Sequence, residues 1–332
     1  ELKPSGKGYQ PKERFRKFNN LSALMQMYHS FANVVNRAKM LELNPNMKLP
    51  KLATGKRQMI LSEPSTEMQL YIEELDHRLD QIKSGAVTPR EDNTLKILAD
   101  GKMAALFGPL RGLPDYKGSK ISNLVENVYK IWERDKKDKL TQLVFLDLGT
   151  PKGDSGEVDE DTGEAKMTKE EEAYWAEVEA LEKGVYEVIK RRLIVLGVPE
   201  EEIAIVHDYN TDAKKQGLFR QVRSGEVRIL IGSTRKMGEG MNVQRRLKAL
   251  HHVDAPWKPS EIEQREGRII RQGNQNEEVE IYCYATTGTL DTFFWQTLEQ
   301  KQGYLSRFEN GDMTLDKMDD IDETTASYAM LK

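Results

Sequence analysis

The sequence predicts an α/β fold, a parallel sheet with helices on both faces, and three observations lead there. Gln142 to Leu148, Ile203 to His207, Val227 to Ile231, Ala249 to Val253 and Val279 to Ala285 are short runs that stay largely apolar instead of alternating with polar residues. Successive strand side chains point to opposite faces, so such a run has to be buried on both, the condition of a parallel strand between two helical layers. Segments with helical or loop character separate the runs, which is the order of strand-helix-strand units. Finally, 332 residues of which only 38% are hydrophobic and 31% charged leave room for one core with solvated appendages. We place a helical extension at 1–54, the sheet domain at 55–308 with an acidic insertion at 151–183, and a polar tail at 309–332.

The elements follow in order. Leu21, Leu24, Met25, Tyr28, Phe31, Ala32 and Val35 recur at helical spacing and predict an amphipathic helix that ends before Asn44-Pro45 and needs a surface to cover. An apolar run from Arg57 to Leu61 stops at Pro64, and Ser65 starts a helix carrying Leu70, Ile72, Leu75 and Leu79. The pattern breaks at Ser84-Gly85 and Thr88-Pro89, then resumes at Leu95, Ile97 and Leu98; three glycines and two prolines make Gly108 to Gly118 a loop. Ser119 opens a helix through Ile121, Leu124, Val125, Val128 and Ile131, and Trp175, Val178, Leu181, Val185 and Ile189 mark another. A last helix runs through Leu290, Phe293, Phe294 and Leu298.

Charge is unevenly spread. Residues 154–182 hold twelve acids and two bases; without them the 50 bases and 54 acids become 48 and 42, so an acidic insertion masks a mildly basic body that permits phosphate binding. The single cysteine, Cys283, excludes an internal disulfide and a cysteine-cluster metal site. Of the five histidines, His251 and His252 are adjacent within a predicted strand that would send them to opposite faces, so no metal site is expected. No run approaches the roughly 18 apolar residues of a membrane span, and the opening segment lacks the layout of a signal peptide, which makes the expected location cytoplasmic.

The chemistry concentrates between Ile229 and Gln275. Strand Ile229-Leu230-Ile231 leads into Gly232-Ser233-Thr234-Arg235-Lys236-Met237-Gly238-Glu239-Gly240-Met241-Asn242, a loop at the carboxyl edge, where open parallel sheets bind ligands. Gly238 and Gly240 permit close backbone approach, and Ser233, Thr234 and Lys236 offer donors to phosphate. After Asp254-Ala255-Pro256-Trp257-Lys258-Pro259, Ser260 and Glu263 fit a capping box, and the helix they predict carries Gln264, Arg268 and Arg271 on one face, with Ile262, Ile269 and Ile270 as its anchor. Two parallel guanidiniums suit a polyphosphate. A glycine-containing turn and a solvated basic face would account for either segment alone.

In order and spacing, the two segments together resemble motifs five and six of superfamily-two helicases, and most closely the Swi/Snf-type branch. There a Trp-Asn-Pro exit precedes a Gln-x-x-Gly-Arg-x-x-Arg-x-Gly-Gln helix; here Lys258 replaces the asparagine and Asn274-Gln275 shifts the last glutamine by one. Gly118-Ser119-Lys120 and Phe219-Arg220-Gln221-Val222-Arg223-Ser224-Gly225 resemble earlier elements of the same lobe, whereas Asp208 stands where a glycine usually follows His207, so His207 receives no role. The wording of 205–308 is most similar to large methyltransferase-helicase, antirestriction-type polypeptides of phages and conjugative elements. The resemblance implies a RecA-like C-terminal motor lobe of an ATP-dependent DNA helicase or translocase. ATP and Mg2+ would lie between two lobes, with Arg268 and Arg271 as catalytic arginines and Gly238, Gly240, Asn242 and Gln264 beside the nucleotide. Ser233, Thr234 and Lys236 would contact the DNA backbone.

No Gly-x-x-x-x-Gly-Lys-Ser/Thr sequence occurs, so a phosphate cradle must come from elsewhere. We expect a first lobe preceding Glu1, with a methyltransferase domain as a further neighbour, the segment 12–43 at the junction, and no ATP hydrolysis by this chain alone. The competing expectation is a non-catalytic scaffold that retains the lobe. A motor lobe requires Gln264, Arg268 and Arg271 to face an open cleft, whereas a scaffold allows them to be consumed in internal ion pairs.

Overall fold

Six lanes of parallel strand form the centre of the molecule. The computed structural model describes residues 17–35, 37–88, 90–148, 184–238, 240–310 and 317–319; the acidic insertion at 151–183, with the predicted helical positions Trp175, Val178 and Leu181, lies outside them. One edge lane is shared by β2 (Lys51–Leu52) and β3 (Gln58–Ser62), both paired with β8 (Glu278–Thr286); β7 (Leu247–His252), β4 (Thr141–Phe145), β6 (Ile229–Gly232) and β5 (Ile203–Ile205) follow. Every pairing in this sheet is parallel. The sheet therefore begins at Lys51, inside the segment assigned to the helical extension. A separate antiparallel ribbon pairs β1 (Lys17–Asn19) with β9 (Lys317–Asp319), joining the two flanks of the chain.

The apolar runs are buried on both faces as their patterning requires. Val144, Ile229, Ile231 and Ala249 point into one core, under α5 (Lys120–Arg134) and α6, described over 184–195. Leu143, Phe145, Leu230, Leu250 and Ile281 point into the other, under α7 (Asp212–Ser224) and the crossing segments that carry Met241 and Ile269. Helix α3 (Thr66–Ser84) starts where the sequence places it, with the Ser65 hydroxyl accepting from the Met68 amide at 3.2 Å, and stops at Gly85, whose φ of 76° is the left-handed closure glycine favours. Helix α4 (Thr94–Leu106) packs back on it, and Arg78 bridges Asp92 and Asp100 at 2.7 and 2.8 Å.

The N-terminal pattern departs from a single helix. Helix α1 (Leu21–Phe31) ends at Ala32, Val35 falls outside it, and α2 (Arg37–Leu43) is a separate short helix. The partner of α1 is α10 (Leu290–Glu309): Met25 is fully buried and the Tyr28 and Phe308 rings lie 5.4 Å apart. Lys120 ties α10 to α5 through a buried pair with Asp291 at 2.6 Å.

His251 and His252 do face opposite sides. His251 sits in a buried polar chain, 2.9 Å from the Tyr284 hydroxyl and 3.0 Å from the Gln142 carbonyl oxygen, while Gln142 donates to the Val128 carbonyl at 2.9 Å. Burial pushes His251 down to about 3 and His252 down to about 4. An imidazole in the unfolded chain titrates near pH 6.5, so between that value and about pH 4 the unfolded state binds protons that the folded state refuses. Stability should therefore fall as pH drops through this window. Thermal midpoints from pH 7 to 4 test this: His251→Gln should remove about half of the histidine-derived slope, and a flat wild-type profile would show that the imidazoles titrate as in water.

Candidate functional site

The adjacent strands β7, β4 and β6 deliver Asp254, Asp147 and Thr234 to one place at the carboxyl edge of the sheet. Into it points Arg265 of α9 (Pro259–Glu266), completely enclosed. Its Nε donates to the Thr234 hydroxyl at 2.7 Å, its Nη2 to Asp147 at 2.5 Å and Asp254 at 3.1 Å, and its Nη1 to the Asp254 carbonyl at 3.1 Å. Asp147 also accepts from the Thr234 amide at 2.6 Å and hydroxyl at 2.7 Å, and Asp254 from the amides of Asp147 and Leu148 at 2.6 and 2.8 Å. Burial opposes the charge on Arg265, but the carboxylates of Asp147 and Asp254 outweigh it and raise the guanidinium further. Burial likewise works against Asp147, yet Arg265 and the Thr234 bonds hold its carboxyl below the usual range; at Asp254 burial wins and the carboxyl is raised.

A second pair continues this network. Glu266 accepts from Arg57 at 2.5 and 3.2 Å, and Arg57 reaches Gln302 at 2.8 Å, so β3 and α10 are fastened to α9. Against the burial that would raise it, Glu266 is held down at about 2 by His252 and Arg57. His252 is neutral at neutral pH, so Arg57 is the partner that keeps Glu266 ionised there.

The glycine loop and α9 segment differ in detail from their sequence prediction. Helix α9 begins two residues earlier, at Pro259 after the N-cap Lys258, whose amide donates to Glu261 at 3.1 Å; the Ser260–Glu263 box does not form. The helix ends before Gly267, and Arg268 and Arg271 lie in tightened turns, with Arg268 and Ile269 amides bonded to the carbonyls of Arg265 and Glu266 at 3.1 Å each. Ile262 and Ile269 are fully buried anchors and Ile270 is half-buried, as anticipated. Ser233 and Thr234 are buried, and their hydroxyls serve the protein: Ser233 accepts from the Lys236 amide at 3.3 Å at the start of α8 (Thr234–Gly238), and Thr234 joins the Arg265 network. Neither hydroxyl is presented outward; Lys236 is half-buried on α8.

What the structure does assemble is a cleft at the opposite, amino-terminal edge, just before β7 and β8. It has a volume of about 430 Å³, and Arg223, Asn242, Gln244, Arg245, Arg271 and Gly273 line it. Arg223 donates to the Asn242 carbonyl at 2.9 Å, and Arg268, half-buried beside it, donates to the Met241 carbonyl at 3.3 Å. Gly238 is the last residue of α8, and Gly240 has φ 65° with open space where a side chain would project, so its conformation calls for glycine. Gln264 is exposed on α9 and outside the cleft lining. The structure places Asn242 and Arg271 in one cleft; sequence reasoning singled out neither Arg223 and Arg245 there nor Asp147, Asp254, Arg265 and Arg57 at the other edge. An aspartate directly after an apolar run, as at Asp147 and Asp254, was the available signal for the latter.

Residues 176–273 match the helicase conserved C-terminal domain. This segment is a helicase C-terminal domain. Defense against restriction protein B of Escherichia phage P1 is 32% identical over 90 residues, covering 27% of this chain and 4% of that protein. An ATP-dependent helicase of Bacillus subtilis (strain 168), YqhH, is 36% identical over 87 residues, covering 26% of this chain and 15% of that protein. Among solved structures, the Sulfolobus solfataricus SWI2/SNF2 ATPase core in complex with dsDNA is similar over 78% of this chain and 47% of that one, at 16% identity and a TM-score of 0.48. The chain thus spans only a small part of the length of the curated relatives it matches.

The helicase domain's two motif segments are joined physically by Arg265. Replacing Arg265 by Met should destabilise the fold by roughly 3–5 kcal/mol, because Asp147 and Asp254 would be left facing each other without a counter-charge. Arg265→Lys should recover little of it, since an ammonium cannot reach the same partners in a planar fork. Chemical denaturation measures both; a loss under about 1 kcal/mol for the methionine variant would show the network to be dispensable.

Proposed function

We propose that this chain is the arginine-bearing motor lobe of an ATP-dependent DNA helicase or translocase, with its cleft facing the triphosphate of ATP held by a second lobe. One observation carries the reading. Of the arginines in the 264–275 segment, Arg265 is consumed by internal ion pairs, whereas Arg271 opens on a cleft with no side-chain hydrogen bond or ion pair among the described residues. A scaffold would have no reason to leave it so. The cleft residues fit a phosphate chain, being guanidiniums and amides; no carboxylate lines the cleft, so Mg2+ would have to be held by the other lobe.

ATP supplies the scissile phosphoanhydride. Arg271 presents a planar fork to phosphate oxygens, and its charge is most valuable where negative charge develops. Arg268, fastened to Met241, fixes the distance between the Arg271 turn and the glycine loop. That loop begins at the carboxyl edge beside Lys236 and ends at Asn242 in the cleft, so a DNA-backbone contact by Lys236 is connected to the nucleotide side through one continuous segment. DNA, the second lobe and a methyltransferase domain on the same polypeptide are the partners this reading includes.

In a polypeptide with both lobes, Arg271→Ala should lower ATP turnover by about 10³-fold, the scale on which an arginine finger acts. Folding and nucleotide-free DNA affinity should be unchanged, since the side chain serves neither. Near-normal turnover would take Arg271 out of the reaction. The 332-residue chain alone should show no DNA-stimulated hydrolysis, because arginines cannot position magnesium and an attacking water; turnover by the rigorously purified chain would refute the division of labour between lobes.

A further inference from the structure

We propose that Arg223 and Arg245 are additional phosphate-binding residues, and that with Arg271 they hold a linear polyphosphate on this lobe by itself, whatever base it carries. The proposal rests on the placement of Arg271 in the nucleotide cleft argued above.

Three arginines reach the cleft from three separate segments: the last turn of α7, the approach to β7 and the turn before β8. No acidic residue lines the cleft with them. Neither Arg245 nor Arg271 makes a side-chain hydrogen bond or ion pair among the described residues, and Arg223 spends one Nη on the Asn242 carbonyl. Many described arginines elsewhere are paired: Arg57, Arg78, Arg134, Arg192, Arg228 and Arg265 all face carboxylates. Like charges gathered without a counter-charge raise the energy of the empty cleft, and a multiply charged anion reverses the sign of that energy.

The kind of anion follows from size and lining. A volume of about 430 Å³ belongs with small-molecule sites, which run from about 300 to 1,000 Å³. A groove that tracks a nucleic-acid strand carries aromatic platforms for its bases, and no aromatic residue lines this cleft. Guanidiniums and the amides of Asn242, Gln244 and Gln272 can bond phosphate oxygens, and no aromatic or hydrophobic residue lines the cleft to hold a purine ring. The phosphate chain is therefore the recognised group.

Calorimetric titration of the 332-residue chain at low ionic strength, with inorganic tripolyphosphate, ATP, GTP and a short single-stranded DNA, tests this. The three triphosphates should bind within about threefold of one another, and Arg223→Gln and Arg245→Gln should each weaken them about tenfold, the loss of one charge-assisted contact. Without ligand, Arg245→Gln should keep or raise the melting temperature, because it relieves repulsion; a structural arginine would lower it. The proposal is overturned if the wild-type chain binds no tripolyphosphate, if DNA alone binds, or if both glutamine variants keep their affinity for it. In that last case loss of binding in Arg271→Ala leaves the role of Arg271 standing. If instead Arg223→Gln and Arg245→Gln lose binding while Arg271→Ala keeps it, the pair's site survives and the assignment of Arg271 to the triphosphate falls.

Discussion

One enclosed guanidinium organises the carboxyl edge of this sheet. Arg265 touches the ends of β4 and β7 and the first residue of α8, and so joins Asp147 to elements that follow it by more than eighty residues. Burying an arginine is unfavourable unless every donor finds an acceptor, and here two carboxylates, a hydroxyl, a carbonyl and the His252 Nδ1 provide them. The arrangement tolerates little displacement of any participant. Thr234, which a reading by motif alone would turn toward a nucleic acid, is thereby fixed as part of the framework.

The contrast between the two edges of the sheet is electrostatic. At the carboxyl edge, Arg265 is enclosed between two carboxylates, and Arg57 with Glu266 extends the pairing to the edge strand and α10. In the cleft at the amino edge, positive charge accumulates without an acidic residue in the lining. Both kinds of arginine come from the same short stretch of sequence, Arg265 to Arg271, and only their surroundings distinguish the structural one from those available to a ligand.

How much could be read beforehand depended on whether neighbours in sequence decide the matter. The strands were legible because burial on both faces leaves an unbroken apolar run, and Ser65 and Gly85 marked the ends of α3 by local chemistry alone. The grouping of Asn242 with Arg271 followed from motif order. The end of α9 was misplaced: Gln264, Arg268 and Arg271 share a face only if the helix continues, and the chain instead turns at Gly267 to send Ile269 into the core. The roles of Asp147 and Arg265, 118 positions apart, depend on strand order, which no local pattern discloses. The same is true of Arg223 and Arg245, which become neighbours only once α7 and the approach to β7 are folded together.

Only two residues separate Arg265 from Arg268, and the intervening turn is held by backbone bonds and by fully buried Ile269. A connection so short and so well packed has no hinge in it. Arg268, and with it the Met241 carbonyl it bonds, cannot shift without disturbing Arg265 and the strand ends that Arg265 holds. A displacement at the amino edge of this segment is thereby felt at the carboxyl ends of β4 and β7, on the far side of the sheet.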